Sequence, residues 1–262
     1  MTTVTNDGML VLADLLGVQT LPGVLGLGPR QDRAEDWLAA RELAETELRQ
    51  AGLVDDYDDV RRELAEAVQI LARPERELVA RSRDATGERR MSLAREGTRH
   101  AVATRAGEQL RVRTVWADDT GAALARPLLD MLGPCPAAEI TAFSAPAEDL
   151  RPRLDAATDA AAFAQVARTY GVDDDEAMNF GLAMAGCLVR TEVVAYVHAD
   201  GIATRSSGAV AIYDTGRGRI VASPGTSADL AVWSTFTPGS DHRVAEAIAA
   251  LADTLPGGRW MP

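Results

Sequence analysis

Residues 208–224 read GAVAIYDTGRGRIVASP: an apolar run, the triplet Asp214-Thr215-Gly216, then a second apolar run after Arg217-Gly218. Asp-Thr-Gly behind an apolar strand is how the catalytic turn of an aspartic protease reads. A second copy, Asp119-Thr120-Gly121, stands upstream in TVWADDTGAALARPLL, residues 114–129. A one-chain protease of this kind needs its two aspartates at equivalent positions of two halves, so that the carboxylates meet and share a proton. The chain does contain two related halves. Shifting it by 120 residues places Leu110 on Leu230, Val112 on Val232, Trp116 on Phe236, Leu124 on Val244, Leu128 on Ile248 and Met131 on Leu251. Pro74 through Leu78 fall on Val194 through His198. Each block is a set of short strands followed by one amphipathic helix, which predicts a pseudo-twofold repeat.

In that frame the aspartates are not equivalent. Asp119 falls on Gly239, ahead of a helix, and Asp214 falls on Ala94, at the end of a strand. Each has a structural use instead. Asp118, Asp119 and Thr120 precede an Ala/Leu-rich helix and predict an N-cap, as Ser240 and Asp241 do in the second half. Asp214 and Gly216 predict a hairpin turn, with Ile212 and Ile220 facing a core across the paired strands. No catalytic residue is expected.

Composition narrows the classes further. The chain has 262 residues, 47% of them hydrophobic, which suffices for one sizeable core. A formal net charge of −12 argues against a nucleic-acid partner, because phosphate binding rests on clustered cations. All 27 basic residues are arginine, so chemistry that needs a Schiff-base or P-loop lysine is excluded. Cys135 and Cys187 have no metal-ligand spacing and fit a reducing compartment. His100, His198 and His242 share no ligand spacing and read as surface or strand histidines. The acidic run at 173–176 reads as the start of a helix, where carboxylates complement the dipole. No metal or cofactor is expected. The N-terminus lacks a basic region and carries Asp7 and Asp14, so no signal peptide is predicted. No apolar run approaches the length of a membrane span. A cytoplasmic protein with no membrane insertion is the expectation.

The periodicities predict helices at about 5–17, 31–51, 55–73, 119–132, 153–170, 174–190 and 240–254. Strands fill the blocks between: EQLRVRTVW alternates Leu110, Val112, Thr114 and Trp116 on one side against Arg111 and Arg113 on the other. Later strands are predicted at about 192–201, 208–214, 218–223 and 229–236, and the four prolines of 133–152 read as a linker. The chain is expected to be one domain over 1–262, with halves at about 1–135 and 150–262.

LRQAGLVDD…RRELAEAVQILARPERELVAR, with Leu48, Gly52-Leu53, Leu64, Leu71-Ala72, Pro74 and Leu78, resembles the N-terminal region of the EspG family. LADLLGVQTLPGVL, with Leu21-Pro22, is similar to that family's opening, and YDTGRGRIVAS…WSTFTPGS, with Asp214, Gly218-Arg219, Trp233 and Pro238, to its closing hairpin. The resemblance implies an α+β fold: a central, largely antiparallel sheet with flanking helical bundles and quasi-twofold symmetry. It implies a non-enzymatic chaperone of type VII (ESX) secretion that binds the apolar tip of a PPE protein in a PE–PPE heterodimer, keeps it soluble and delivers it to the cognate system. The family's use of the sheet face, a strand-connecting loop and the C-terminal bundle implies a partner site here at Arg83, Glu88, Met178, Met184, Leu188, Arg205 and Trp233. A homo-oligomeric structural or regulatory protein of the same fold and an aspartate-dependent hydrolase are the rival readings.

Overall fold

The computed structural model describes residues 1–226 and 231–262. Leu230, and the start of the strand expected at 229–236, lie outside the described residues. The first half runs β1 (Thr2–Thr5), α1 (Asn6–Leu15), a 3₁₀ turn (Gly23–Leu25), α2 (Ala34–Gln50), α3 (Arg62–Ala72), β2 (Arg76–Asp84), β3 (Gly87–Glu96), β4 (Arg99–Ala106), β5 (Gln109–Val115) and α4 (Gly121–Leu132). The second runs β6 (Phe143–Pro146), α5 (Ala147–Ala156), α6 (Ala160–Thr169), α7 (Asp174–Ala185), β7 (Cys187–Ala199), β8 (Ile202–Arg205), β9 (Val210–Thr215), β10 (Gly218–Thr226), β11 (Val232–Pro238) and α8 (Asp241–Asp253).

The strands form one sheet in the order β1-β5-β4-β3-β2-β7-β9-β10-β11-β6, with β8 paired to β7. Every pairing between these strands is antiparallel. Reading outward from the central β2–β7 pair, each half is a four-strand meander closed by its own first strand. Each half also ends in one helix with a hydroxyl N-cap: Thr120 Oγ1 accepts from the Ala123 N–H, and Ser240 Oγ from the Arg243 N–H. The pseudo-twofold repeat is therefore a property of the fold, not only of the apolar pattern.

The 120-residue shift holds at these caps and fails within the strands. β4 and β5 are joined by two residues, 107–108, and β10 and β11 by five, 227–231. β5 and β11 are consequently 123 residues apart at both ends, and the shorter link before α8 restores the spacing. Trp116 thus does not correspond to Phe236. Phe236 is core, whereas Trp116 lies past the end of β5 and is 73% exposed. The β8 hairpin likewise shifts β7, so Pro74–Leu78 do not correspond to Val194–His198.

Three clusters make the core. On one face of the sheet, here the back, α4 and α8 pack against each other and cover Leu78, Met91, Leu93, Val193 and Ile212. On the front, α1–α3 cover the first half through Leu12, Leu48, Leu64, Val68 and Leu71. α5–α7 cover the second half around Phe143, Phe180 and Phe236, whose ring centroids lie 5.1–5.5 Å apart. Ile212 and Ile220 are both buried but on opposite faces, because Ile220 stands across from Tyr213.

Three further boundaries differ from the sequence reading. The helix expected at 153–170 is two, broken where the Asp159 carboxylate caps α6 through the Ala162 N–H at 2.8 Å. The helix expected at 174–190 stops at Ala185, because CLVRTEVVAYVHA alternates and is β-branched, which favours a strand. The stretch 133–152 carries β6 and the start of α5 and buries Phe143, Ala145 and Leu150.

Candidate functional site

Both Asp-Thr-Gly triplets are bound into the frame. Arg219 is fully buried, and its Nε and Nη2 donate to the two Asp214 carboxylate oxygens at 2.6 and 3.0 Å. Burial disfavours the Arg219 charge, but the Asp214 hydrogen bonds and charge outweigh it, and the guanidinium is held above its ordinary pKa. Nη2 also donates to the Gly133 carbonyl at 3.0 Å. The turn itself is made by Thr215, whose Oγ1 accepts from the Arg217 N–H at 3.0 Å. Its left-handed residue is Gly218 at φ 108°, not Gly216. A Cβ at Gly218 would also come within 2.8 Å of the Ala137 carbonyl oxygen, so glycine is required twice over. Asp119 Oδ1 accepts from the Met261 N–H at 2.6 Å and pins the C-terminal tail, whose buried Trp260 donates to His100 Nε2 at 2.9 Å. Neither aspartate presents a free carboxylate to a partner aspartate.

The open surface lies elsewhere. β2 and β7 are the central strands, and the two front bundles sit to either side of them. Their front-facing residues stand directly opposite one another: Glu77 with Tyr196, Val79 with Val194, Arg81 with Glu192, and Arg83 with Arg190. A cavity of about 500 Å³ opens over this strip, bounded by the 3₁₀ turn at Gly23 and Val24 and by β8 at Ala203 and Arg205. At one end Glu77, only 6% exposed, accepts the Ser92 hydroxyl at 2.7 Å. His198 Nε2 lies 3.3 Å from the other Glu77 oxygen, with the Tyr196 ring beside it. Arg205 pairs with Glu192 at 3.2 Å in the middle. At the other end, Arg83 has a side chain 77% exposed and lies 3.4 Å from Glu88.

The turn of the β2–β3 hairpin that carries this pair is tied by one carboxylate. The Asp84 carboxylate accepts from the Thr86 hydroxyl and N–H and from the Gly87 N–H. Those bonds, the Thr86 hydroxyl first, hold Asp84 below the usual carboxylate pKa. Burial pushes Glu88 up, but its hydrogen bond and ion pair with Arg90, at 2.6 Å, reinforced by Arg83, leave it net below its usual value.

Of the residues expected in a partner site, the structure brings Arg83, Glu88 and Arg205 to this front strip, with Leu188 on β7 beyond its end. Leu188 is not helical: it lies on β7 at the register irregularity between Cys187 and Val189, and is 65% exposed. Met184 is 7% exposed and packed in the third core cluster, so it is a core residue and offers no surface to a partner. Met178 packs against the same cluster, half-buried. Close packing explains both: a Cβ at Gly181 would fall 2.1 Å from the Ala160 carbonyl oxygen, so α7 lies directly on α6. Trp233 alternates with Phe236 along β11, which puts it on the back face and three strands from β7. Glu77, Arg81, Arg190, Tyr196 and His198 were missed by the sequence reading. The alternation of ELVARSRD and VVAYVHA was the available signal.

Among the described residues, no group of three His, Cys, Asp or Glu side chains could hold a metal ion. No helix among them is long and apolar enough to cross a membrane.

A twofold sheet whose back is covered over its central strands by two packed helices, and whose front holds a cavity between two bundles, is a grooved binding scaffold. The chain belongs to the EspG family, whose sequence profile matches residues 5–250. It is 30% identical to the ESX-1 secretion-associated protein EspG1 of Mycobacterium tuberculosis, over 98% of this chain and 88% of that one. It is 29% identical to the ESX-3 secretion-associated protein EspG3 of Mycolicibacterium smegmatis, over 98% and 88%. Its fold matches the M. tuberculosis type VII secretion system chaperone EspG5, solved in complex with a PE25–PPE41 dimer. The TM-score is 0.79 at 22% identity, covering 99% of this chain and 98% of that one.

Proposed function

We propose that this chain is a cytosolic, non-enzymatic secretion chaperone. It binds the apolar tip of a PPE protein in a PE–PPE heterodimer, keeps it soluble and delivers it to the cognate type VII (ESX) secretion system. The observation that carries this reading is the open front strip over β2 and β7. Val79 and Val194 lie at its middle, charged pairs line it, and exposed Leu188 stands at one end. An apolar helical tip in water is an aggregation hazard, and a groove that covers it raises its solubility. The relatives named for ESX secretion, and the EspG5 fold-relative solved with a PE–PPE dimer, support the same client class. Arg83 and Glu88 on the β2–β3 hairpin, with Leu188 and Arg205, form the contact set.

Co-expression with PE–PPE pairs from the same genome, then affinity capture and gel filtration, tests the proposal. The wild-type chain should form a ternary complex. Arg83→Glu and Leu188→Asp, both at exposed positions, should weaken client capture about tenfold or more, roughly 1.4 kcal/mol, while leaving the melting temperature unchanged. Equal capture by both variants would remove the groove as the client site. Self-association with no client bound by the wild type would remove the chaperone reading.

A further inference from the structure

The back face carries a second concave site, beside the C-terminal end of α4 and away from the groove. β3, β4 and β5 turn Arg89, Thr104, Gln109, Arg111 and Arg113 toward a pocket of about 360 Å³. Two of its three back-facing guanidinium groups are partly committed. Arg89 donates to the Met131 carbonyl at 2.6 Å, at the end of α4, and lies 3.8 Å from the Asp84 carboxylate; Arg113 donates to Asp130 at 3.2 Å. The Arg111 guanidinium, directly across from Thr104, has no hydrogen-bond or ion-pair partner among the described residues. Arg105, though its backbone lines the pocket, sends its guanidinium to the front face, to the Leu25 and Gly26 carbonyls.

Three cations against two carboxylates, Asp84 and Asp130, leave one positive charge, on Arg111, beside one small cavity in a chain of net charge −12. Like charges on neighbouring strand positions repel. Packing does not require them here, since the same face is apolar nearer the centre at Met91 and Leu93. Arginine forks match tetrahedral and planar oxyanions bidentately, and one unpaired fork beside two half-used ones suits a group that can accept from several directions. The threonine hydroxyl and glutamine amide add neutral donors. The walls at Val102 and Pro127 are apolar, as in small-molecule sites of this volume.

We propose that this pocket is an anion site for a phosphoryl group, that of a small phosphate monoester or of a diphosphate, bound through Arg111 with Arg89 and Arg113. A phosphate ester carries a second negative charge above a pKa of about 6, which strengthens its attraction to the unpaired Arg111 and to the two half-used guanidinium groups beside it. Affinity for a monoester should accordingly fall as the pH drops through that value.

Isothermal titration of the full chain with inorganic pyrophosphate and with inorganic phosphate, in about 0.15 M salt to screen diffuse attraction, tests this directly. Saturable one-to-one binding of pyrophosphate is expected. Arg111→Ala should weaken it at least tenfold with no change in the melting temperature of the unliganded protein. Arg151→Ala, which alters an exposed arginine on α5, should leave binding unchanged. Absence of saturable binding to the wild type would overturn the site. So would equal losses in the two variants. Citrate binding as tightly as pyrophosphate would replace a phosphoryl site by general attraction for anions.

Discussion

Asp214→Ala would remove both carboxylate acceptors from Arg219 and leave a guanidinium that no solvent reaches. The charge cannot be shed, because arginine does not deprotonate in proteins. What remains is the Gly133 carbonyl at 3.0 Å and Asp241, whose nearest oxygen is 3.7 Å away on an exposed side chain. Breaking one side of a buried pair costs about 3–5 kcal/mol. At about 2.1 cal/mol/K of unfolding entropy per residue, each kcal/mol lowers the melting temperature of a chain this long by about 2 °C, so the drop should be about 6–10 °C. The effect should also be local. The Arg219 N–H donates to Pro136 O at 2.6 Å and its carbonyl accepts from Ala138 N–H at 2.9 Å, which fixes the segment joining the halves. Amide exchange at Ala138 should therefore rise first. Adding Arg219→Met removes the stranded charge and should recover most of the loss. Calorimetry and hydrogen exchange on the three proteins decide the matter. A loss under about 1 kcal/mol, or a double variant no more stable than the single one, would refute the buried-pair account.

Two further perturbations follow. Burial, and then the charge of Arg95, push His100 below its ordinary pKa, and its Nε2 must stay unprotonated to accept from Trp260. The unfolded chain then binds the extra proton more readily, so this contribution is complete above about pH 6.5 and is lost as the pH falls from there through the folded pKa. Denaturation midpoints should fall between pH 7 and 5, and His100→Gln should flatten that slope; equal slopes would refute it. In the second-half bundle, Gly181→Leu places side-chain atoms where the Ala160 carbonyl oxygen and Ala164 nitrogen already lie within 3 Å of a Cβ, and should cost at least about 1–3 kcal/mol. Gly186→Ala, whose Cβ would meet nothing closer than 3.3 Å, is the contrast, and equal losses by urea denaturation would show that close helix approach is not the cause.

How far the fold was legible depended on where its signals were local. α3 announced itself through Leu64, Ala67, Val68 and Leu71, which all face the core. The non-equivalence of Asp119 and Asp214 held as well, because Thr120 and Ser240 mark true equivalents. Loop-length changes were invisible to a constant shift: three extra residues between β10 and β11 moved Phe236 onto a different partner. The role of Asp214 was equally hidden. Turn chemistry is local, and Thr215 supplies it, whereas the Asp214 carboxylate is claimed by a side chain five residues on that folds beneath the hairpin. Met184 was misplaced for a related reason, since an adaptable methionine and nearby glycines read the same for a groove as for a tightly packed helix pair. Only the distance from Gly181 to Ala160 separates the two cases.

The groove itself follows from the order of elements. Each half begins with a helical bundle and ends with a single helix, and the twofold puts the two ending helices together on the back. Those two pack against each other and seal that face over the central strands. The bundles enter from opposite edges, through β1 and β6, and each lies over its own meander. β2 and β7, first in their meanders, are farthest from both edges, and the two bundles leave a cavity of about 500 Å³ over their front face. A front strip buried within one chain would be apolar throughout, as the back strip of Leu78, Ala80, Val193 and Ala195 is. The front strip instead sets Glu77, Arg81, Arg83, Arg190, Glu192 and His198 around two valines. Glu77 is held by Ser92 and His198 rather than removed. A buried carboxylate needs such partners to be tolerated. Its retention at the floor of an open cleft fits a surface shaped to meet polar groups on another chain.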